Sequence, residues 1–190
     1  EDGLLRKAAI FDTKKLEWMN GQHLSRLPLD DVEPRVTPAI IAAGLATAEE
    51  LGARRDWYRT LLNLLRVRAR TIDDVVRQAG PYFKDKIEYD ANAVAKQWKE
   101  RDATRELFVA ARTVLAALPA WEPATMEQSL RRLAEARGVG GGKIFQPLRV
   151  ALTGLGESPG IFDVLVALGR EKSLARIAAA EAYVADGAGM

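Results

Sequence analysis

The sequence predicts an all-α protein. Three observations lead there: apolar residues recur with helical spacing, helix start and stop signals are frequent, and no segment alternates with period two. Leu107, Ala111, Val114, Leu115 and Leu118 give the clearest stripe, spaced i, i+4, i+7, i+8 and i+11. The single Asn-Gly pair, Asn20-Gly21, lies between helix-like stretches rather than between β-branched runs. About ten short helices joined by short links are expected.

Taken in order, the first helix-like stretch carries Trp18, Met19 and the lone histidine, His23. Pro28, Pro34 and Pro38 then cluster, which suggests a hinge or boundary. Thr37-Pro38 has the form of an N-cap followed by proline at the first helical position, with Gly44 as the stop. Thr47 to Glu50 fits a capping box. Thr71 to Asp74 opens another helix, ending near Gly80-Pro81. The stretch from Lys84 to Asp90 is a weaker second boundary. Asp90 and Asp102 are expected to cap the next two helices, and Leu118-Pro119 closes the second of them. Thr125 to Gln128 has the form of a capping box for a helix running to Gly138. Ser158-Pro159-Gly160 starts a helix that stops at Gly169, and Ser173 is expected to cap a last, Ala-rich one. No repeat of solenoid length is present.

Composition narrows function. The chain has 190 residues, 28 Lys+Arg against 26 Asp+Glu, no cysteine and one histidine. Disulfides, thiol nucleophiles and Cys-based zinc sites are therefore excluded, and a His-based triad or metal site has almost no material. No apolar run approaches the roughly 18 residues of a membrane span. Glu1-Asp2-Gly3 lacks both an initiator Met and the pattern of a secretory leader, so a piece of a longer cytoplasmic chain is expected. Gly138-Val139-Gly140-Gly141-Gly142-Lys143 superficially suggests phosphate binding. Its spacing is not that of a P-loop, and a helix end followed by a turn accounts for it. His23 and the pairs Asp30-Asp31 and Asp73-Asp74 have the character of surface or capping groups. No catalytic residue and no metal ligand is assigned.

Binding has more support. Residues 54 to 70 hold Arg54, Arg55, Arg59, Arg66, Arg68 and Arg70 against one acid, Asp56, a local balance of +5 where the whole chain carries +2. Trp57 and Tyr58 sit among them. Forked guanidinium donors suit phosphates and base edges. A solvated helix face is the alternative. Arg66, Arg68 and Arg70 are spaced by two, which places them at a helix end and in the following loop. Arg149 sits in an otherwise apolar helix, shortly before the Ser158-Pro159-Gly160 loop. It is placed either to read a base edge or to pair with Glu157.

Two longer motifs carry a resemblance. Phe11-Asp12-Thr13-Lys14-Lys15-Leu16-Glu17-Trp18-Met19-Asn20 is similar to the F-D-x-x-K-L-x-W-M-N segment of bacterial-type glutamyl-tRNA synthetases. Lys143 to Gly154 with Ser158-Pro159-Gly160 is similar to that family's K-x-x-x-P-L-R-x-A-L-T-G…S/T-P-G segment, and Arg66 to Thr71 to its R-x-K/R-T stretch. The resemblance covers the chain in order and implies the C-terminal, anticodon-binding part of such an enzyme. The implied organisation is a remnant of the stem-contact region at 1–35, followed by two helical anticodon-binding domains at 36–88 and 89–190. The implied partners are tRNA(Glu) and the enzyme's own N-terminal catalytic domain, which uses ATP and Mg2+ to ligate glutamate to tRNA(Glu). The HIGH and KMSKS-like signatures of that domain are missing from this sequence, so this chain alone is expected to be inactive, to hold no cofactor and to be a monomer. The anticodon contacts implied are Arg149, Ser158, Pro159, Ile161 and Arg68, with Arg66 or Arg70 as other placements of the last. An arginine there implies selectivity for tRNA(Glu) over tRNA(Gln). Arg54, Arg55, Arg59, Arg66, Arg70 and Lys143 would hold the RNA backbone. The competing expectation is an all-α protein-interaction module with a basic face and no RNA role.

Overall fold

The computed structural model describes residues 13–187. Among them are eleven α-helices and no strand: α1 (Thr13–Arg26), α2 (Leu29–Ala42), α3 (Ala48–Ala53), α4 (Arg55–Arg66), α5 (Ile72–Phe83), α6 (Ala91–Gln97), α7 (Arg101–Ala116), α8 (Pro123–Ala136), α9 (Gly142–Thr153), α10 (Ile161–Leu168) and α11 (Arg170–Asp186). Phe11 and Asp12 of the first motif lie outside the described residues.

Local chemistry sets many of the boundaries. Thr47 forms the expected capping box with Glu50, and Thr71, expected only to open a helix, forms a second with Asp74, each acid reaching back to the N-cap amide. Asp90 caps α6 through the amide of Ala93 at 2.7 Å. Gly44, Gly138, Gly154 and Gly169 follow helix ends with positive φ.

Five expectations are corrected. Thr37-Pro38 does not start a helix, because α2 runs through it from Leu29, and no hinge interrupts residues 29–42. Val32, Val36 and Ile40 form the buried stripe of α2, whereas Asp30, Pro34 and Pro38 lie on its exposed side. The carbonyls that each proline leaves free belong to Asp30 and Pro34, on the side where water can take them. Thr37 instead donates to the Glu33 carbonyl at 2.7 Å and meets the Tyr58 hydroxyl at 3.1 Å. Asp102 is not a cap, since α7 begins at Arg101, whose guanidinium is held by the Val184 and Ala185 carbonyls at the far end of α11. Thr125 is inside α8, which starts at Pro123, a residue suited to the first helical position. Ser173 is buried inside α11, because Gly169 turns the chain directly from α10 into the next helix.

α2, α4 and α5 pack together, and α7 packs along α11 with α8, α9 and α10 around the pair. Arg101 reaches the end of α11 while Arg170, at its start, donates to the Leu118 carbonyl at 2.7 Å, so α7 and α11 are antiparallel. The buried side chains form one continuous core from Leu24 to Val184. Hydrogen bonds tie α4, α5 and the link after α5 to the later helices, the following among them. Trp57 of α4 donates to the Ala167 carbonyl of α10 at 2.9 Å. Asp90 N donates to the Gly154 carbonyl at 2.8 Å. Arg176 of α11, only 3% exposed, donates to the carbonyls of Pro81, Lys84 and Leu152. These carbonyls lie at the C-terminal ends of α5 and α9, where helix dipoles are negative, so a buried cation is held without a carboxylate. The position 35/36 falls within α2, and 88/89 falls in the link between α5 and α6.

Candidate nucleic-acid interface

Arg149 lies on α9, and Arg68 lies in the turn that follows α4. The fold brings both to one loop. Arg149 Nη1 donates to the Ser158 carbonyl at 2.7 Å, to Ser158 Oγ at 2.5 Å and to the Pro159 carbonyl at 2.7 Å. Arg68 Nη1 donates to the same Ser158 carbonyl at 3.2 Å. Ser158 Oγ in turn donates to the Pro159 carbonyl at 3.0 Å. Glu157, the expected alternative partner, makes no hydrogen bond to Arg149 among the described residues. Burial first, and then the like charge of Arg68, lowers the pKa of Arg149 from its ordinary value. Both effects disfavour the charged form, and loop carbonyls answer them.

The remaining donors matter most. A guanidinium carries five N–H groups, and Nη1 holds two of them. Arg149 Nε and Nη2 make no hydrogen bond among the described residues, so one edge of the fork is uncommitted. That edge has the geometry for two parallel hydrogen bonds to a base or phosphate. Ser158 and Ile161 are each 4% exposed, and Pro159 is buried. All three are buried, whereas Arg149 is half-buried and Arg68 exposed. One turn before Arg149 on α9, Phe145 packs edge-on against Phe162 with ring centroids 5.4 Å apart. Both rings are half-buried. Tyr82 of α5 has its hydroxyl buried without a hydrogen-bond partner among the described residues, and burial pushes its pKa far above the ordinary value.

The 54–70 arginines divide into two groups. Arg55 donates to Glu33 at 2.8 and 3.0 Å, and Arg59 is held by Glu33 and by Asp30 at 2.7 Å. Hydrogen bonding to Arg55 is the largest cause lowering the Glu33 pKa, with desolvation opposing it. Arg66 is held by Asn63 Oδ1 at 2.9 Å and by the Leu27 carbonyl. These three fasten α4 to α2 and to the end of α1. Arg54, Arg68 and Arg70 remain exposed. Arg54 lies over the Trp57 ring at 4.5 Å, and Arg70 reaches Glu17 only at 3.9 Å. Lys143 is exposed in the first turn of α9, away from this cluster. Asp30 and Glu33 fall outside the 54–70 window, so the +5 balance overstated the free charge. Arg176 also escaped the sequence reading, because nothing local distinguishes it from a surface arginine.

Among the described residues no group of three or more His, Asp or Glu could hold a metal ion, and no helix is long and apolar enough to cross a membrane.

Residues 31–181 match the family described as an anticodon binding domain. The chain belongs to that family. Other relatives of this anticodon-binding domain share more of the chain. A glutamate–tRNA ligase of Symbiobacterium thermophilum is 32% identical over 173 residues, covering 91% of this chain and 35% of the relative. The glutamate–tRNA ligase of Myxococcus xanthus is 36% identical over 174 residues, with 91% and 35% covered. The chain thus spans about a third of the length of the curated relatives it matches. Among solved structures, a glutamate tRNA ligase from Elizabethkingia meningosepticum in complex with its amino acid superposes with a TM-score of 0.69. That match covers 92% of this chain and 33% of the other at 24% identity, so it speaks for the fold.

Proposed function

We propose that this chain recognises the anticodon of tRNA(Glu) as the C-terminal part of a cytoplasmic, monomeric glutamate–tRNA ligase. The observation that carries this is the convergence of Arg149 and Arg68 on the Ser158 carbonyl, with the outer edge of Arg149 uncommitted. Anticodon bases are single-stranded and can be splayed out against fixed donors. Arg149 offers its free edge to one base, and Ser158, Pro159 and Ile161 complete the site. Arg68, exposed at the rim, reads the third base and favours tRNA(Glu) over tRNA(Gln). Arg54 and Arg70 face solvent and are available to the RNA backbone, whereas Arg55, Arg59 and Arg66 are engaged within the protein. Residues 36–88 and 89–190 act as two helical anticodon-binding units, and residues up to 35 belong to the stem-contact region. Glutamate ligation with ATP and Mg2+ belongs to the catalytic domain of such an enzyme, and no step of it is assigned to residues of this chain.

The test uses Arg149→Ala with tRNA(Glu) and an anticodon-swapped tRNA. Affinity for tRNA(Glu) should fall roughly tenfold to a hundredfold, while affinity for the swapped tRNA changes little. Equal binding of both tRNAs by the wild type, or unchanged discrimination in the variant, would overturn the proposal. In the full-length enzyme, Arg68→Gln should raise charging of tRNA(Gln) relative to tRNA(Glu), and an unaltered ratio would remove Arg68 from the reading.

A further inference from the structure

A second basic feature lies at the other end of α9. A cleft of about 440 Å³ opens where the α6–α7 corner meets the α8–α9 turn. Lys96, Lys99, Arg137 and Lys143 line it, against one acid, Glu100. The three lysines are exposed, and among the described residues none has an ion-pair partner. Elsewhere on the surface, Arg55, Arg59, Arg112 and Arg131 are paired at 3.0 Å or less. Arg137 has only Glu106, at 3.7 Å, and Glu106 is 74% exposed. Such a pair is readily exchanged for another anion.

The four cations come from three separate stretches of sequence, so no local count shows them. Ile144 and Pro147 form part of an apolar floor, which keeps the site concave and the charges convergent. Added Cβ atoms at Gly140 and Gly142 would meet nothing within 4 Å, so the backbone beside Lys143 is open to close approach. The Lys143 amide is already bonded to the Gly140 carbonyl at 2.9 Å. The side-chain cations therefore carry the attraction, and the positive end of α9 adds to it.

We infer that this cleft grips the phosphate backbone of RNA, at a position separate from the Ser158–Gly160 loop. This rests on the anticodon-recognition reading above. Lys143 and Arg149 are six residues apart on α9, which is about 9 Å along the helix axis. The two positions also differ by about 120° around the axis, so an RNA strand that meets both passes around the helix. Backbone contacts fix register and add salt-dependent affinity, while base contacts supply the selectivity.

The test is the triple variant Lys96→Gln, Lys99→Gln and Lys143→Gln, which should keep the wild-type circular dichroism spectrum because all three positions are exposed. Affinity for tRNA(Glu) and for an anticodon-swapped tRNA is measured from about 50 to about 200 mM salt. Both affinities should fall by the same factor, roughly tenfold at the lower salt, with their ratio kept. The slope of log affinity against log salt should shrink by about 2, since each lost single-strand contact contributes about 0.7. Unchanged affinity and slope would overturn the inference, as would a changed ratio with an unchanged slope. Retained tRNA affinity with lost binding to polyglutamate would assign the cleft to an acidic protein surface and also overturn it. Failure of the wild type to discriminate is scored separately, because it strikes the base-reading loop and leaves the salt slope to judge the cleft.

Discussion

Gly154 and Gly44 form a natural pair for dissecting how α9 is anchored. Both follow helix ends with positive φ, +74° and +66°. Alanine at either site should cost about 1–2 kcal/mol from the left-handed backbone alone. Their surroundings differ. A Cβ at Gly44 meets nothing within 4 Å, whereas one at Gly154 would sit 2.0 Å from the Glu88 carbonyl oxygen. That oxygen belongs to backbone held by the bond from Asp90 N to the Gly154 carbonyl and by Arg176 on Lys84. Relief requires the link to move by more than an ångström, which breaks the Asp90 bond, at about 1 kcal/mol, and disturbs packing beside it. Gly154→Ala should therefore exceed Gly44→Ala by about 2–3 kcal/mol. Urea unfolding followed by tryptophan fluorescence measures this as a difference in midpoint of about 1 M. Equal midpoints would refute the steric reasoning and leave only backbone strain.

Other perturbations probe separate contacts. Glu33→Gln should reduce stability by about 1 kcal/mol or less, because Arg55 is 61% exposed and its pair is screened. The Glu33 pKa is lowered on folding, so its contribution is present above pH 4.5 and fades as pH falls; the variant's acid-unfolding curve should be flatter there. Burial raises Tyr89 from 10.0 to about 12, so stability is full below pH 10.0 and lost as pH rises towards 12. Tyr89→Phe should abolish about 2–3 kcal/mol of that alkaline loss, and identical alkaline curves for both proteins would exclude it. Trp57→Phe keeps a ring against Phe83 but removes the bond to the Ala167 carbonyl. It should cost about 1 kcal/mol in thermal or urea unfolding.

The helical class and the α7 stripe were legible because periodicity and capping are local. Thr47, Thr71 and Asp90 cap helices through atoms three residues away, a range that sequence spacing can express. Thr37 and Thr125 mislead because proline suits several places in a helix, and its solvent-facing position in α2 is a tertiary fact. Ser173 misleads because Gly169 joins two helices without a loop. Arg149 and Ser158 are nine residues apart, so a helix followed by a loop already suggests proximity. Arg68 is ninety residues from Ser158: the basic 54–70 stretch marked it as a candidate, but its meeting with that loop required the packed chain. The engagement of Arg55 and Arg59 with α2, and the gathering of Lys96, Lys99, Arg137 and Lys143, required the packed chain.

The groups holding the Arg149 fork are two carbonyls and a hydroxyl. None of them takes up or releases a proton near neutrality. Burial pushes Tyr82 further from that range. The bonds that hold Arg149 at the Ser158–Pro159 loop therefore rest on groups that do not titrate near neutrality. If that loop reads a base as proposed, its donors should present one pattern across neutral pH, and the selectivity they set should not follow pH there.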